Sequence, residues 1–157
     1  MTGQEPAPAR YQPRLEPDPE RQRRVGHLVL RVRYAESDRM GIVYNAHYLT
    51  WFEIGRTELL RSAGMPYRAV EERGINLPLV ETRFRLRAPV RYDDEIEVET
   101  WIDHLRSRTI HFAYRILHGS DVVAEGFTTH ACVDAEANRA VPFPTWLRAA
   151  VEALMTP

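Results

Sequence analysis

The chain is 157 residues long and 44% hydrophobic, with 21 basic against 22 acidic side chains and a formal net charge of −1. That length and composition predict one domain with a packed core and exclude wholesale disorder. The charge balance offers no basic face for nucleic acid, and no apolar run approaches the roughly 18 residues of a membrane span.

Residues 1–24 form a zone apart. Pro6, Pro8, Pro13, Pro17 and Pro19 interrupt it, and Arg and Glu fill most of the rest. It has too few apolar side chains to offset the entropy of ordering. It reads as a flexible N-terminal tail without the apolar stretch of a secretory signal; a second reading docks it on a neighbouring subunit. The folded domain is expected over 25–157. Its first element is a strand, His27 to Tyr34, in which Leu28, Leu30 and Val32 alternate with Val29, Arg31 and Arg33.

A polar run, Glu36-Ser37-Asp38-Arg39, follows, and then Gly41, which lets the backbone turn with positive φ. Asn45 is a favourable helix N-cap. From about Tyr48 to Ala63 the pattern is helical, with Tyr48, Leu49, Phe52, Gly55, Leu59 and Ala63 on one stripe. Gly55 in mid-helix costs roughly 1 kcal/mol relative to Ala, which points to close approach of a sheet. Arg56 falls in the same stripe, so its charge must reach water, a carboxylate or a subunit boundary. Gly64 serves as the C′ residue and Pro66 prevents continuation. Residues 67–76 read as a short helix or loop closed by Gly74.

Four strand-like segments come next, over 80–86, 95–102, 109–117 and 122–133. Turn signals separate them at Pro89 with Asp93-Asp94, at Arg106-Ser107 and at Gly119-Ser120-Asp121. A final helix is expected over 145–154. Strand, helix, four strands, helix predicts an α+β fold with an antiparallel sheet rather than repeated βαβ units. Such a sheet leaves an edge exposed, and edge-to-edge pairing of two copies would remove it. A homodimer is therefore expected.

Tyr34 to Ser62 is where chemistry concentrates. Asp38 lies a few residues ahead of a helix N-terminus, whose amides are unpaired and partially positive. Such amides can hold a developing oxyanion with Asp38 opposite. A surface loop in which Asp and Ser merely cap turns accounts for the same residues. His27, His47, His104, His111, His118 and His130 show neither HExxH nor paired i, i+4 spacing, so no metal site is expected. His47, near the helix start, either lines the site or sits at the surface behind it. No GxSxG elbow accompanies Ser37. Asp93 and Asp94 serve a turn. Cys132 is expected in a core strand, and a single cysteine suits a reducing cytoplasm, the expected location. Arg106 and Arg108, with Thr109 after them, are either a solvated hairpin or a clamp for phosphate oxygens.

Tyr34, Asp38, Gly41, Val43-Tyr44, Tyr48, Glu53 and Arg56-Thr57-Glu58-Leu59-Leu60 together resemble the signature of the 4-hydroxybenzoyl-CoA thioesterase family of the hotdog superfamily. Within it they are most similar to the acyl-CoA thioesterase branch associated with the Tol–Pal cluster. Similarity continues more loosely through Ala88-Pro89 and Tyr92-Asp93-Asp94 to about Pro142, and covers roughly residues 26–150. The resemblance implies a hotdog fold: a five-stranded antiparallel sheet wrapped around a central helix, plus a C-terminal helix. It implies that Asp38 is the catalytic carboxylate and that the Asn45 amide polarises a thioester carbonyl. Gly41, Tyr48 and Glu53 would contact substrate, Glu53 near the acyl end, and Arg106, Arg108 and Thr109 would hold coenzyme A. The site would lie at a dimer interface, with dimers often pairing into tetramers.

The expected reaction is hydrolysis of an acyl-CoA thioester to free acid and CoA, with Asp38 as nucleophile or general base. Coenzyme A is part of the substrate and no further cofactor is expected. Two other classes remain. A hotdog hydratase or dehydratase uses a His followed at a set distance by Pro, and no His here has one. A non-catalytic acyl-CoA or protein-binding module would keep the fold without the acid that Asp38 supplies.

Overall fold

The computed structural model describes residues 13–157. The chain opens with an antiparallel pair, β1 (Arg14–Asp18) and β2 (Arg23–Arg31), and then enters the long helix α1 (Ala46–Ser62). A short helix α2 (Tyr67–Glu72) and a two-residue strand β3 (Ile75–Asn76) lead into four strands: β4 (Leu79–Leu86), β5 (Glu95–Leu105), β6 (Thr109–His118) and β7 (Asp121–Ala131). Two short strands, β8 (Val133–Asp134) and β9 (Arg139–Ala140), precede the closing helix α3 (Thr145–Leu154).

The main sheet has the order β1-β2-β5-β6-β7-β4, and every pairing in it is antiparallel. Strands β3, β8 and β9 form a second, small sheet. One face of the main sheet packs on α1. Ile96, Val98, Thr100 and Ile102 on β5, and Ile110, Phe112, Tyr114 and Ile116 on β6, are all buried. All but Thr100 join Trp51, Phe52, Leu59 and Leu60 of the helix in one core cluster. The period of two along each strand is what directs these side chains to a single face. Each fully buried side chain of this size contributes about 1.5–3 kcal/mol. A Cβ on Gly55 would stand 2.3 Å from Thr100 Oγ1 and 3.1 Å from Val98 Cγ1. The mid-helix glycine is thus the point where α1 touches β5, as its cost predicted.

Two expectations are corrected. The sheet has six strands rather than five, and the sixth comes from residues assigned to the tail. Residues 1–12 lie outside the described residues, but Arg14–Asp18 forms an edge strand and Arg23 already belongs to β2. Strand β1 carries no apolar pattern because it is held mainly by its backbone ladder and by charge. Arg21 pairs with Asp18, reaches Glu99 at 3.4 Å and lies 4.3 Å over the Trp101 ring. Pro17 is tolerated because the strand is an edge. Cys132 is buried but lies between β7 and β8 rather than within a strand. The remaining boundaries agree to within a few residues, and α3 spans the expected 145–154.

Candidate active site

The loop between β2 and α1 is folded back on itself. A single 3-10 turn, Tyr34–Glu36, follows β2, and Ser37 bridges Val43. The Asp38 N–H donates to Ile42 O at 2.9 Å, and the Gly41 N–H donates to Asp38 O at 3.0 Å. Gly41 has φ +73°, a left-handed value that a glycine adopts without strain. The Val43 N–H donates to Val90 O at 2.8 Å, which ties the loop to the segment before β5.

Glu36 pins this loop to the helix. It is only 3% exposed, yet its carboxylate accepts from the Arg33 N–H at 2.8 Å, from Arg33 Nη2 at 3.1 Å and from the Trp51 indole N–H at 3.1 Å. Burial alone would raise its pKa, but these three donors outweigh it and hold the carboxyl below its usual value. Its own carbonyl accepts from the Tyr44 N–H at 3.0 Å. In the sequence Glu36 is one acid of a polar run, with no motif that marks it as functional. Its signal was faint, an acid between a strand and a helix whose indole stands fifteen positions on.

Asp38 is half-buried, and its Oδ1 accepts from the Met40 N–H at 2.8 Å. Asn45 stands at the N-cap position, but with helical φ −55° and ψ −32° and no side-chain capping bond. This corrects the expectation that its side chain caps the helix. Among the described residues the N–H groups of Asn45 and Ala46 have no hydrogen-bond partner. They are the orphan donors of a helix start, at its partially positive end. Tyr48 is buried in the first turn and lines a groove of about 350 Å³ with Ile42, Val43, Leu86, Arg87, Ala88 and Pro89. Burial raises its phenol pKa. His47 is half-buried and meets Tyr44 edge-on.

The other expected site residues lie apart from this centre. Glu53 is exposed, two turns along α1. Arg106, Arg108 and Thr109 form the β5–β6 hairpin, tied down by Cys132 N–H to Arg108 O at 2.8 Å and by Arg148 Nη2 to Arg106 O at 2.9 Å. That hairpin is at the far end of β5 from the Val90–Asp94 segment that holds the Asp38 loop. At about 3.3 Å per residue, strand β5 separates the two by roughly 33 Å. A single chain does not bring the basic turn to Asp38.

A second polar group, unassigned by sequence, lies under the middle of α1. His130, 1% exposed, has Nδ1 at 2.9 Å from Leu77 O and Nε2 at 3.0 Å from Thr128 Oγ1. A carbonyl only accepts, so Nδ1 carries the proton and Nε2 accepts from Thr128. Thr128 Oγ1 then accepts from the Tyr114 hydroxyl at 2.6 Å. Burial, with Arg56 nearby, lowers His130 to about 4. Burial pushes Tyr114 up to about 12 against the pull of the Arg56 guanidinium beside it. The available signal was parity, since Thr128 and His130 alternate with Thr129 on the buried face of β7.

Among the described residues, two groups of side chains place His and carboxylate atoms within 4.8 Å, Asp103-His104-His111 and His27-Glu97-Glu99. Neither contains a residue of the Asp38 site, and Glu99 is engaged by Arg115 at 2.8 Å. No described helix is long and apolar enough to cross a membrane.

Residues 32–151 match the model of the thioesterase-like superfamily. The putative acyl-CoA thioesterase YneP of Bacillus subtilis is 34% identical over 122 residues, covering 74% of this chain and 88% of that protein. The acyl-CoA thioesterase YbgC of Haemophilus influenzae is 30% identical, over 77% of this chain and 90% of its own. The crystal structure of the hypothetical protein TT1821 from Thermus thermophilus superposes with a TM-score of 0.78 at 38% identity, covering 82% of this chain and 98% of that one.

Proposed function

This chain belongs to the thioesterase-like superfamily and is a thioester hydrolase, and from that premise we propose that it cleaves acyl-CoA with Asp38 as the catalytic carboxylate. The observation that carries this reading is the pair of unpartnered amides, Asn45 and Ala46, at the end of the loop that holds Asp38. The thioester oxygen sits on these amides, which stabilise the negative charge that develops as the carbonyl is attacked. An Asp38 oxygen bonds to the carbonyl carbon, the C–S bond breaks, and CoA leaves as thiolate; water then hydrolyses the mixed anhydride and frees the carboxylate. Alternatively Asp38 takes a proton from a water that attacks in its place. Thiolate is a good leaving group, so neither route needs a dedicated general acid. Gly41 gives the loop its turn, Tyr48 walls the groove, and Glu53 lies toward the acyl end.

The distance between Asp38 and the basic turn supports a site shared between two copies. Strand β4 is an edge that leaves Leu79, Val80 and Leu86 exposed at 47%, 57% and 45%, a stretch suited to pairing. The opposite edge is short and charged and contains Pro17. Antiparallel pairing of two β4 strands sets the Leu86 end of one copy against the Leu79 end of the other. The groove beside Asp38 then faces the neighbour's hairpin end, and Arg106, Arg108 and Thr109 of that copy bind the phosphates of CoA. A homodimer is the minimum unit of this reading, a tetramer being two such dimers, and the cytoplasm is its compartment. Coenzyme A enters as part of the substrate, and no other cofactor has a step.

The test is Asp38→Asn, which keeps size and loses charge. The expected result is a fall in kcat of at least roughly 10²-fold, with acyl-CoA affinity retained and Tm held or raised. A folded variant that keeps most of the parental kcat would remove Asp38 from the reaction and leave it a turn residue.

A further inference from the structure

A cavity of about 60 Å³ lies against α1, lined by Glu53, Arg56, Thr57 and Leu60 of the helix, with Tyr67, Leu77, Phe112 and His130 opposite. Its size admits a few water molecules or one small polar group. Arg56 is half-buried here and, among the described residues, forms no salt bridge. The polar groups behind it are already satisfied. Tyr114 donates to Thr128, Thr128 to His130, and His130 to Leu77 O, while the Leu77 N–H donates to Tyr67 Oη at 3.0 Å. None of these side chains is an anion, and the guanidinium has five N–H donors in a planar fork. The Tyr114 oxygen is the one acceptor of this group beside it. A partly desolvated cation with donors to spare, at the rim of a small cavity, suits a planar oxyanion.

The cavity lies further along the same helix whose start would hold the acyl carbonyl. Asn45, Phe52 and Arg56 fall on one stripe of α1, as do Leu49 and Glu53 beside them. From Asn45 to Arg56 the helix rises about 16 Å, and the Arg56 side chain leans back toward the helix start and shortens that span. An acyl chain whose carbonyl rests at Asn45 and which follows the helix therefore ends near Arg56. Glu53 is exposed at the rim and is free to turn to solvent when an anion enters.

We propose that this cavity is the polar end of the acyl site, in which Arg56 binds a carboxylate at the distal end of the acyl group, so that the preferred substrates are CoA monothioesters of dicarboxylic acids. This rests on the acyl-CoA reading above and names the substrate class within it. Tyr114, Thr128 and His130 are positioning residues. They fix the phenol oxygen beside Arg56 and hold Leu77, the far wall, through its carbonyl.

The experiment compares ω-carboxyacyl and plain acyl pairs of equal chain length, suberyl with octanoyl first and then shorter and longer homologues. Affinity is read by calorimetry with thioether analogues, in which CH2 replaces the thioester carbonyl, and turnover by thiol release from the true thioesters. At one chain length the carboxylated member should bind at least roughly tenfold tighter and show a correspondingly higher kcat/KM. In Arg56→Met that ratio should collapse toward or below one. In Arg56→Lys, which keeps the charge without the fork, it should fall part of the way. No preference at any length in the wild-type protein overturns the proposal, as does a ratio that Arg56→Met leaves intact. If the analogues show the preference and no thioester releases thiol, the distal carboxylate site stands and the hydrolytic reading of Asp38 falls. If thiol is released with no preference, the reverse holds.

Discussion

Glu36 and His130 are buried polar side chains with every hydrogen bond supplied by neighbours, and each holds one segment of the site. Glu36 ties the Asp38 loop to Trp51, and His130 ties the entry of β4 to the core through Leu77. Their cost when unpaired, about 1–3 kcal/mol for a neutral group and more for a charge, is what makes them directional. His130 also makes stability depend on pH. Its folded pKa, about 4, is depressed below the 6.5 of an unperturbed histidine, so the unfolded chain takes up the proton first. The stabilisation is therefore complete above pH 6.5 and is lost as pH falls from there toward 4. The full effect is on the order of 3 kcal/mol. His130→Asn places an amide N–H near the Nδ1 position and removes the titration. Urea unfolding from pH 7.5 down to 4.5 should show a shallower loss of stability in that variant than in the parent. Parallel curves would mean that His130 titrates alike in both states.

At the scale of elements, α1 carries the design. Its first turn follows directly on the Asp38 loop, its middle bears Arg56, and Gly55 lets it lie on β5. Strand β1 is the element with the least apolar support, and its contribution is measurable. Deleting residues 1–22 removes the β1 ladder and the Arg21 cover over Trp101. The expected loss is about 2 kcal/mol, or a Tm lower by roughly 4–8 °C, with kcat preserved because β1 is remote from Asp38. An unchanged Tm would show that the strand adds nothing to the fold.

For the whole molecule, the decisive fact is the length of β5. It puts the carboxylate and the basic turn at opposite ends of the sheet, so the proposed reaction needs a second copy. The protein should sediment as a dimer or tetramer at micromolar concentration, and its activity per chain should fall on dilution as copies separate. Full activity of a sedimenting monomer would sink the shared site and with it the assignment of Arg106, Arg108 and Thr109 to CoA.

What the sequence by itself determined is what depends on local spacing. Period-two alternation marked β2, strand-like runs between turn signals marked β5 and β6, helical spacing marked α1, Gly41 and Gly64 marked turns that need positive φ, and the residues from Tyr34 to Leu60 identified the family. What only the tertiary structure decided is what depends on partners distant in the chain. Strand β1 exists because β2 offers a backbone ladder and Arg21 finds Trp101, and neither leaves a periodic trace in residues 14–18. Glu36 became a pin because Trp51 turns back over it. Arg56 could be seen to need a partner, but that it faces a cavity ringed by Tyr67, Leu77 and His130 follows from the packing of α2 and β7 against α1. Backbone preference and amphipathic period act over a few residues and are written into each segment; the pairing of charges and donors is settled by which segments fold together.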